Sequence, residues 1–448
     1  MPHLQKQSRL SEFITNPKGA LWKLSFPMMF GMMVQAIYML VDTAFIGRWV
    51  GGSALAGLGY VFPIMFIILG LTFGLGSGVT TVIAQFIGQN EKKKADNAAE
   101  HSLLLGIIIS VFILLIGYSQ GDHFITVQGA SEEVLGDALK YFHIMVTGSC
   151  FMIISIFFRS ILSGEGEAIF PMKVMAIGTI SNIILDPPFI HFWGLSGAAI
   201  ATVLSQATVT FIFIYMMFFR HHTYIRFAFN DFSFNPAVIK LIFKLGIPAS
   251  LSMVIMSLGV SVFNRILGTS DAVAAYQTAG RIEHLFFLPL ISIATALVTL
   301  VGMFYGNKRT DLVKKIILYG ISRSMIITIS VSVLFFFFAE NFIPLFTKSD
   351  EIVDLAVSYF KVMVFAYPFV TIGLNSGRIM QGMGVAYPML VVTSLRVVVI
   401  SAPLAWYFTR VLGKPLYFVW LAVLISSMIA STISFTWMLT ILKRIRTM

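Results

Sequence analysis

The sequence predicts an all-α polytopic membrane protein, with twelve transmembrane helices arranged as two parallel six-helix repeats. Three observations carry this reading. Of 448 residues, 57% are hydrophobic and only 11% are charged, with a mean hydropathy of +0.88, which is more apolar material than a soluble core holds. Twelve apolar stretches are each long enough to cross the ~30 Å hydrocarbon layer as a helix. Loop residues of the first half also recur in the second half at a constant offset. The strict alternation of a membrane β-strand is absent, so the backbone groups must be satisfied within helices.

The stretches run approximately over 21–46, 55–86, 98–118, 135–158, 168–190, 194–219, 240–266, 273–304, 314–338, 353–377, 387–409 and 416–441. Ahead of the first, MPHLQKQSRLSEFITNPKG lacks the apolar core and small-residue cleavage site of a signal peptide, so span 1 is expected to stay attached. The single Cys150 excludes an internal disulfide.

The basic balance, 31 Lys+Arg against 20 Asp+Glu, is a topology signal and not a nucleic-acid footprint. Lys6, Arg9, Lys18 and Lys23 precede span 1, and Lys92, Lys93 and Lys94 follow span 2. Arg159, Lys173, Arg220, Arg226, Lys240 and Lys244 lie in loops on the same side, as do Lys308, Arg309, Lys314, Lys315, Arg378, Lys443, Arg444 and Arg446. The opposite side has only Arg48, Lys140, Arg265, Lys348, Arg410 and Lys414. The positive-inside rule therefore places both termini in the cytoplasm of a cell (inner or plasma) membrane, in agreement with an even span count.

The duplication is legible residue by residue. FITVQGASEEVLGDALKYFHIMV from Phe124 matches FIPLFTKSDEIVDLAVSYFKVMV from Phe342, which pairs Ser131 with Ser349, Glu133 with Glu351, Tyr141 with Tyr359 and Met145 with Met363. At the same offset Gly164-Glu165-Gly166 meets Gly382-Met383-Gly384, and Gly88 meets Gly306. WKLSFP (22–27) matches FKLGIP (243–248), a few residues out of step. Six spans per copy make the copies parallel, and such repeats commonly rock around a site between them. The expected domains are an N-terminal bundle (1–219), a basic cytoplasmic linker (220–240) and a C-terminal bundle (241–448).

Only the first copy carries acids in its spans 1 and 5: Asp42 and Asp186, where the second copy has Phe263 and Ala402. A carboxylate inside a membrane helix costs at least ~2.5–3.5 kcal/mol, so by default it faces a cavity and marks an ion or substrate path. Pro187 and Pro188 follow Asp186; having no N–H groups, they leave the carbonyls of Ile183 and Ile184 without their helical donors. Freed carbonyls beside a carboxylate are how broken membrane helices coordinate cations.

At this point the chain resembles the multidrug and toxic compound extrusion (MATE) transporters over nearly its whole length. The resemblance rests on KLSFPMM with Gln35, Tyr38 and Asp42 in span 1, the GQNEKKKADNAAEHS loop and SGEGEA after span 4. It also rests on Asn182 and ILDPPFI in span 5, GAAIATVLS in span 6 and AGRIEH in span 8. The carboxylate pattern is most similar to the branch with archaeal and some bacterial members. For that branch the resemblance implies an N-bundle ion site at Asp42, Asn182, Asp186 and Thr202. Another branch keeps acids in spans 7 and 10, which here read LSMVIMSLGVSVFNRILG and VSYFKVMVFAYPFVTIGLN with no carboxylate inside. Helix geometry is consistent with the same four residues. At ~1.5 Å per residue, Asp42 lies about 7 Å below the outer end of span 1, Asp186 about as deep, Asn182 one turn deeper on the same face, and Thr202 about 12 Å into span 6.

The remaining candidates have two readings each. Gln35 and Tyr38 share the Asp42 face and either tune its proton affinity and touch substrate, or simply pack. Pro27 either hinges span 1 or sits innocuously near its start. Arg281, Glu283 and His284 lie within span 8, where an internal Arg–Glu contact competes with a role for Glu283 in substrate binding or tuning and with a proton relay through His284. Arg159 reads as an interfacial anchor. The many Met and Phe residues suit a cavity that repacks around varied aromatic cations, although most must face lipid.

Neither acid stands in the Tyr-Asp or Gly-x-Gly-Asp context of an intramembrane aspartyl protease, no loop resembles a channel filter, and there is no phosphate-binding loop. The expectation is therefore a transporter and not an enzyme. It needs no cofactor and is driven by H+ or, alternatively, by Na+ held at Asp42, Asn182, Asp186 and Thr202. It exports amphipathic, mostly cationic small molecules by alternating access, works as a monomer in the lipid bilayer, and binds no nucleic acid. A lipid or lipid-linked oligosaccharide flippase of the same superfamily is the alternative, disfavoured because in-membrane cations are few (Arg281, Arg323, Lys361, Arg396).

The topology is open to a direct test. In a Cys150→Ser background, single cysteines at Lys93, Tyr224 and Lys308 are expected to react with impermeant thiol reagents only from the cytoplasm. Cysteines at Asp122, Asp271 and Glu340 are expected to react from outside. Labelling of position 224 from the outside overturns the twelve-span arrangement.

Overall fold

The computed structural model describes residues 8–127, 132–220, 222–227, 232–347 and 349–446; Lys6, Ser131 and Lys348 of the sequence reading lie outside them. Among the described residues there are helices and turns and no strand. A short α1 (Leu10–Thr15) leads into α2 (Pro17–Trp49), α3 (Gly52–Gly88), α4 (Lys92–Val127), α5 (Glu132–Gly164) and α6 (Ile169–Ile214). The second half has α7 (Pro236–Leu267), α8 (Ser270–Gly306), α9 (Thr310–Phe342) and α10 (Asp350–Gly382). It closes with α11 (Tyr387–Ser394), α12 (Ala402–Trp406) and α13 (Tyr417–Arg446).

Among the described residues eleven helical runs are long and apolar enough to cross a membrane, one of them holding both spans 5 and 6, which meet at a kink. The sequence reading separates 168–190 from 194–219. Instead, helix continues through 191–193 and turns only at Gly194, whose φ of 55° and ψ of −133° are non-helical. A straight helix of 46 residues would be ~69 Å long, more than twice the hydrocarbon thickness. Glycine is required here twice. Gly194 takes a positive φ that a side chain disfavours, and a Cβ on Gly197 would lie 1.9 Å from the Phe189 carbonyl oxygen. The result is two helices that meet at a sharp turn, the two arms of α6.

Contacts divide the chain into two compact units: Met1–Ser11 with Pro27–Phe243, and Glu12–Phe26 with Lys244–Met448. Helix α2 passes from the second unit to the first at Pro27. That residue is the eleventh of the helix, well inside it and not in its first turn. In the first unit α5 packs against α3, α4 and α6; in the second, α10 packs against α8, α9 and α13. These are the fourth spans of the two repeats, and each buries a repeat-related tyrosine, Tyr141 or Tyr359. The first core joins Ile46, Leu58, Tyr141, Phe142, Ile190 and Leu195. The second joins Phe263, Ala279, Phe335, Phe360, Tyr367 and Trp420, with Phe335 stacked on Phe360 at 4.6 Å. Small residues let helices approach closely: a Cβ on Gly148 of α5 would meet Val203 of α6 at 2.1 Å. Exposed Leu115, Leu318 and Phe337 are placed to face lipid.

Span 11 is irregular. Wide π-helical turns at Leu395–Ser401 and Tyr407–Val411 flank α12.

The polar motifs between spans have structural work. In SGEGEA, Glu167 accepts from the Ile169 and Phe170 amides at 3.1 and 3.3 Å, capping the start of α6, and pairs with Arg9. Glu165 accepts from the Ile225 amide at 3.0 Å. Asp96 accepts from the Arg226 amide at 2.9 Å. The Asn235 amide donates to His101 Nε2 at 2.9 Å, while His101 Nδ1 faces the Asn97 carbonyl at 2.8 Å. The loop residues that carried the resemblance thus tie the segment after α6 to α4 and to the α5–α6 turn.

Gly197→Ala is expected to lower the thermal midpoint of the purified protein by several degrees or to prevent folding, because the clash is with backbone. Gly136→Ala, where a Cβ meets nothing within 4 Å, is expected to be neutral or slightly stabilising. Equal midpoints for the two variants would remove the tight turn as the constraint.

Candidate functional site

The turn at Gly194 assembles the site. Asn182 and Asp186 lie on the first arm of α6 and Thr202 on the second, while α2 supplies Asp42. All four side chains are buried: Asp186 is 0% exposed, Asn182 2%, Asp42 7% and Thr202 9%. Asn182 Nδ2 donates to Asp186 Oδ1 at 3.2 Å, the contact that i,i+4 spacing on one helical face allows. The hydroxyls of Tyr38 and Thr202 share a hydrogen bond of 3.1 Å, which ties α2 to the second arm of α6. Asp42 and Asp186 act on one another electrostatically.

Three oxygens here have no hydrogen-bond partner among the described residues: Asp42 Oδ1, Asn182 Oδ1 and Asp186 Oδ2. Unsatisfied buried oxygens are costly in a low-dielectric interior, and three of them belong to this one set of residues. The donor set is oxygen throughout. Among the described residues there is no cluster of three or more His, Cys, Asp or Glu suited to a metal ion.

A cavity of about 30 Å³ opens beside these residues, lined by Gln35, Tyr38, Asn182 and Thr202 together with Thr179, Ser205 and Gln206. It holds a water-sized body and is far below the ~300 Å³ at which drug-sized pockets begin. Gln35 and Tyr38 therefore belong to the lining of the cluster, as expected of the Asp42 face.

Sequence reasoning missed Tyr141. It is buried on α5 and acts electrostatically on both Asp42 and Asp186. Its match to Tyr359 was visible, yet a tyrosine in an apolar run gives no sign of which helices it will face. Thr179, Ser205 and Gln206 were missed for the same reason.

The simpler reading of these residues was an Arg–Glu contact between helices, but among the described residues Glu283 makes no ion pair. Arg281 is exposed, and Glu283 instead accepts hydrogen bonds from Tyr359 and Tyr367 of α10 at 2.8 and 2.5 Å. His284 is exposed. Arg159 is half-buried with its guanidinium over the Phe73 ring at 5.2 Å.

Two tandem six-span units with a buried polar cluster define a polytopic membrane transporter. The MatE family model matches the chain twice, over residues 27–187 and 247–407. The chain belongs to this family, the multidrug and toxic compound extrusion transporters; it is not an enzyme. A probable multidrug resistance protein, NorM, from Thermotoga maritima is 25% identical over 431 residues, covering 94% of this chain and 92% of that protein. The multidrug export protein MepA of Staphylococcus aureus is 26% identical over 389 residues, 85% of each chain. A solved structure of a MOP superfamily transporter from Pyrococcus furiosus matches with a TM-score of 0.94 at 30% identity, covering 99% of this chain and all of that one.

The Tyr38–Thr202 bond can be tested by a double-mutant cycle. Tyr38→Phe and Thr202→Val are each expected to cost about 1 kcal/mol of stability, and the double variant no more than the larger single loss. Fully additive losses in unfolding of the purified protein would show that the two hydroxyls act separately.

Proposed function

We propose that this transporter is an ion-coupled antiporter of the branch with an N-bundle site, exporting amphipathic, mostly cationic compounds by alternating access. In this reading it works as a monomer in the cell membrane with both termini in the cytoplasm. The observation that carries the proposal is the buried Asp42–Asp186 pair with its unpartnered oxygens. Two carboxylates in a low-dielectric site resist joint ionisation, so the pair takes up a positive charge readily and releases it when the surroundings change. Relatives named for multidrug resistance and export support an exported small molecule as the cargo.

Each residue has a part. Asp42 and Asp186 carry the exchangeable charge, Asn182 orients Asp186, and Tyr38 and Thr202 couple α2 to the second arm of α6. Gln35 lines the approach. Pro27, where α2 passes from one unit to the other, is the place for that helix to bend. Coupling follows if the ion stabilises a conformation that the drug destabilises, since a ligand shifts an equilibrium only by its differential affinity. The water-sized cavity suits an ion-loaded state that excludes cargo. Glu283 takes a secondary part in tuning or substrate contact.

The coupling ion we favour is the proton, because a compact site of two acids and hydrogen-bonding neighbours needs no further ligands. Sodium is the alternative: Asp42, Asn182, Asp186 and Thr202 offer four side-chain ligands, and the carbonyls of Ile183 and Ile184 offer more.

Asp42→Asn and Asp186→Asn are each expected to abolish gradient-driven export with folding intact, because a neutral amide keeps the shape but cannot cycle charge. Glu283→Gln is expected to be milder. Well-inserted Asp42→Asn protein that still confers resistance would sink the coupling role. In liposomes loaded with a fluorescent cation, a pH gradient without sodium is expected to drive export. A response to a sodium gradient alone would replace the proton by sodium at the same residues.

A further inference from the structure

The opening turns of α2 belong to the second unit, where they meet α9. Lys18, Trp22 and Phe26 stand one turn apart along α2, and Lys315, Tyr319 and Arg323 one turn apart along α9. The two faces touch at their aromatic residues, Trp22 Nε1 donating to the Tyr319 hydroxyl at 3.0 Å. Trp22 also stacks on Phe26, with ring centroids 5.0 Å apart. Two cations converge on the Tyr319 ring: the Lys18 ammonium is 5.4 Å from its centroid and the Arg323 guanidinium 5.0 Å.

None of Lys18, Lys315 and Arg323 has an ion pair with a described residue, whereas nearby Lys23 is paired with Glu12 and Arg309 with Asp311. Two like charges held over one ring repel each other until an anion joins them. Their level is that of lipid headgroups. Lys18 precedes the first apolar stretch, Trp22 and Lys315 open the first and ninth, and Arg323 reaches back one turn over Tyr319, as long basic side chains do near an interface. One turn deeper the two faces continue as exposed Phe26 and Ile326. In the first unit the positions equivalent to Lys315, Tyr319 and Arg323 are Asn97, His101 and Leu105 of α4. There the chain covers the face itself. Phe232 and Phe234 lie 4.8 and 5.6 Å from the His101 ring, and Asn97 donates to the Ser233 carbonyl at 2.9 Å. The second unit meets its face with Trp22 and leaves three exposed cations.

We propose that this groove between α2 and α9 binds the phosphate of an anionic phospholipid at the membrane boundary. Lys18 and Arg323 donate to the phosphate oxygens, and Lys315 adds charge from one turn toward the water. Trp22 and Tyr319 are positioning residues: their hydrogen bond fixes the ring over which both cations sit. The acyl chains run along Phe26 and Ile326. A zwitterionic headgroup carries an ammonium of its own, which three cations repel, so the groove selects net negative charge. Bound lipid thereby tethers the opening turns of the helix that carries Asp42.

The test is lipid binding to the purified full chain with no ion gradient, so it stands apart from gradient-driven export. Native mass spectrometry counts the lipids retained as phosphatidylglycerol or phosphatidylcholine is titrated into a neutral detergent. Phosphatidylglycerol is expected to bind about tenfold or more tightly than phosphatidylcholine. Lys18→Gln combined with Arg323→Gln is expected to remove that preference. Lys92→Gln combined with Lys94→Gln takes away two charges already paired with Asp96 and Glu91, and is expected to leave it unchanged. Glycerol phosphate, the headgroup phosphate without acyl chains, is expected not to displace the lipid at equal concentration. Equal affinity for the two lipids, equal loss in both double variants, or displacement by glycerol phosphate overturns the proposal. Should the Lys18 and Arg323 double variant not fold, Lys18→Gln alone decides: the preference is expected to fall about threefold or more, and an unchanged preference overturns it.

Discussion

In hydrocarbon an unpaired polar atom costs several kcal/mol, and most of this molecule is the consequence. The backbone is satisfied inside helices, the charged residues are gathered into loops, and hydroxyls in the spans bond back to their own helix, as Thr72 does to the Ile68 carbonyl at 2.7 Å. Against that background the exceptions carry information. Asp42, Asn182 and Asp186 each keep an oxygen without a partner in one buried cluster.

The constraint also shapes the helix that builds the site. Joining spans 5 and 6 by a loop would expose backbone groups that then need partners of their own. The helix instead runs to Gly194 and turns there, and the absence of a Cβ at Gly194 and Gly197 makes the turn sterically possible. The same turn sets Thr202 where it reaches Tyr38 while Asn182 reaches Asp186.

Duplication supplied two similar frames that have diverged in polarity. The fourth span of each repeat is the centre of its unit and buries a tyrosine at the equivalent position. Beside Tyr141 the acids come from α2 and α6. Beside Tyr359 an acid comes from α8, with a second tyrosine. The apolar Phe263 and Ala402 stand where the first unit has Asp42 and Asp186. They do not signal that the second unit has a polar centre of another kind.

Sequence alone determined the fold class, because apolar stretches of spanning length and a constant loop offset depend only on local composition and order. It also singled out Asp42 and Asp186, since a carboxylate in a long apolar run is conspicuous without any knowledge of its neighbours. Asn182 was reachable because i,i+4 spacing on a helix is itself local. The tertiary structure alone decided the rest. Tyr141, Thr179, Ser205 and Gln206 are ordinary residues of membrane helices until packing brings them to the carboxylates. Whether Glu283 would meet an arginine of another helix or two tyrosines of α10 depended on which face of α8 turns inward. Pairing across helices is a property of distances between segments far apart in the chain, and no spacing within one segment encodes it.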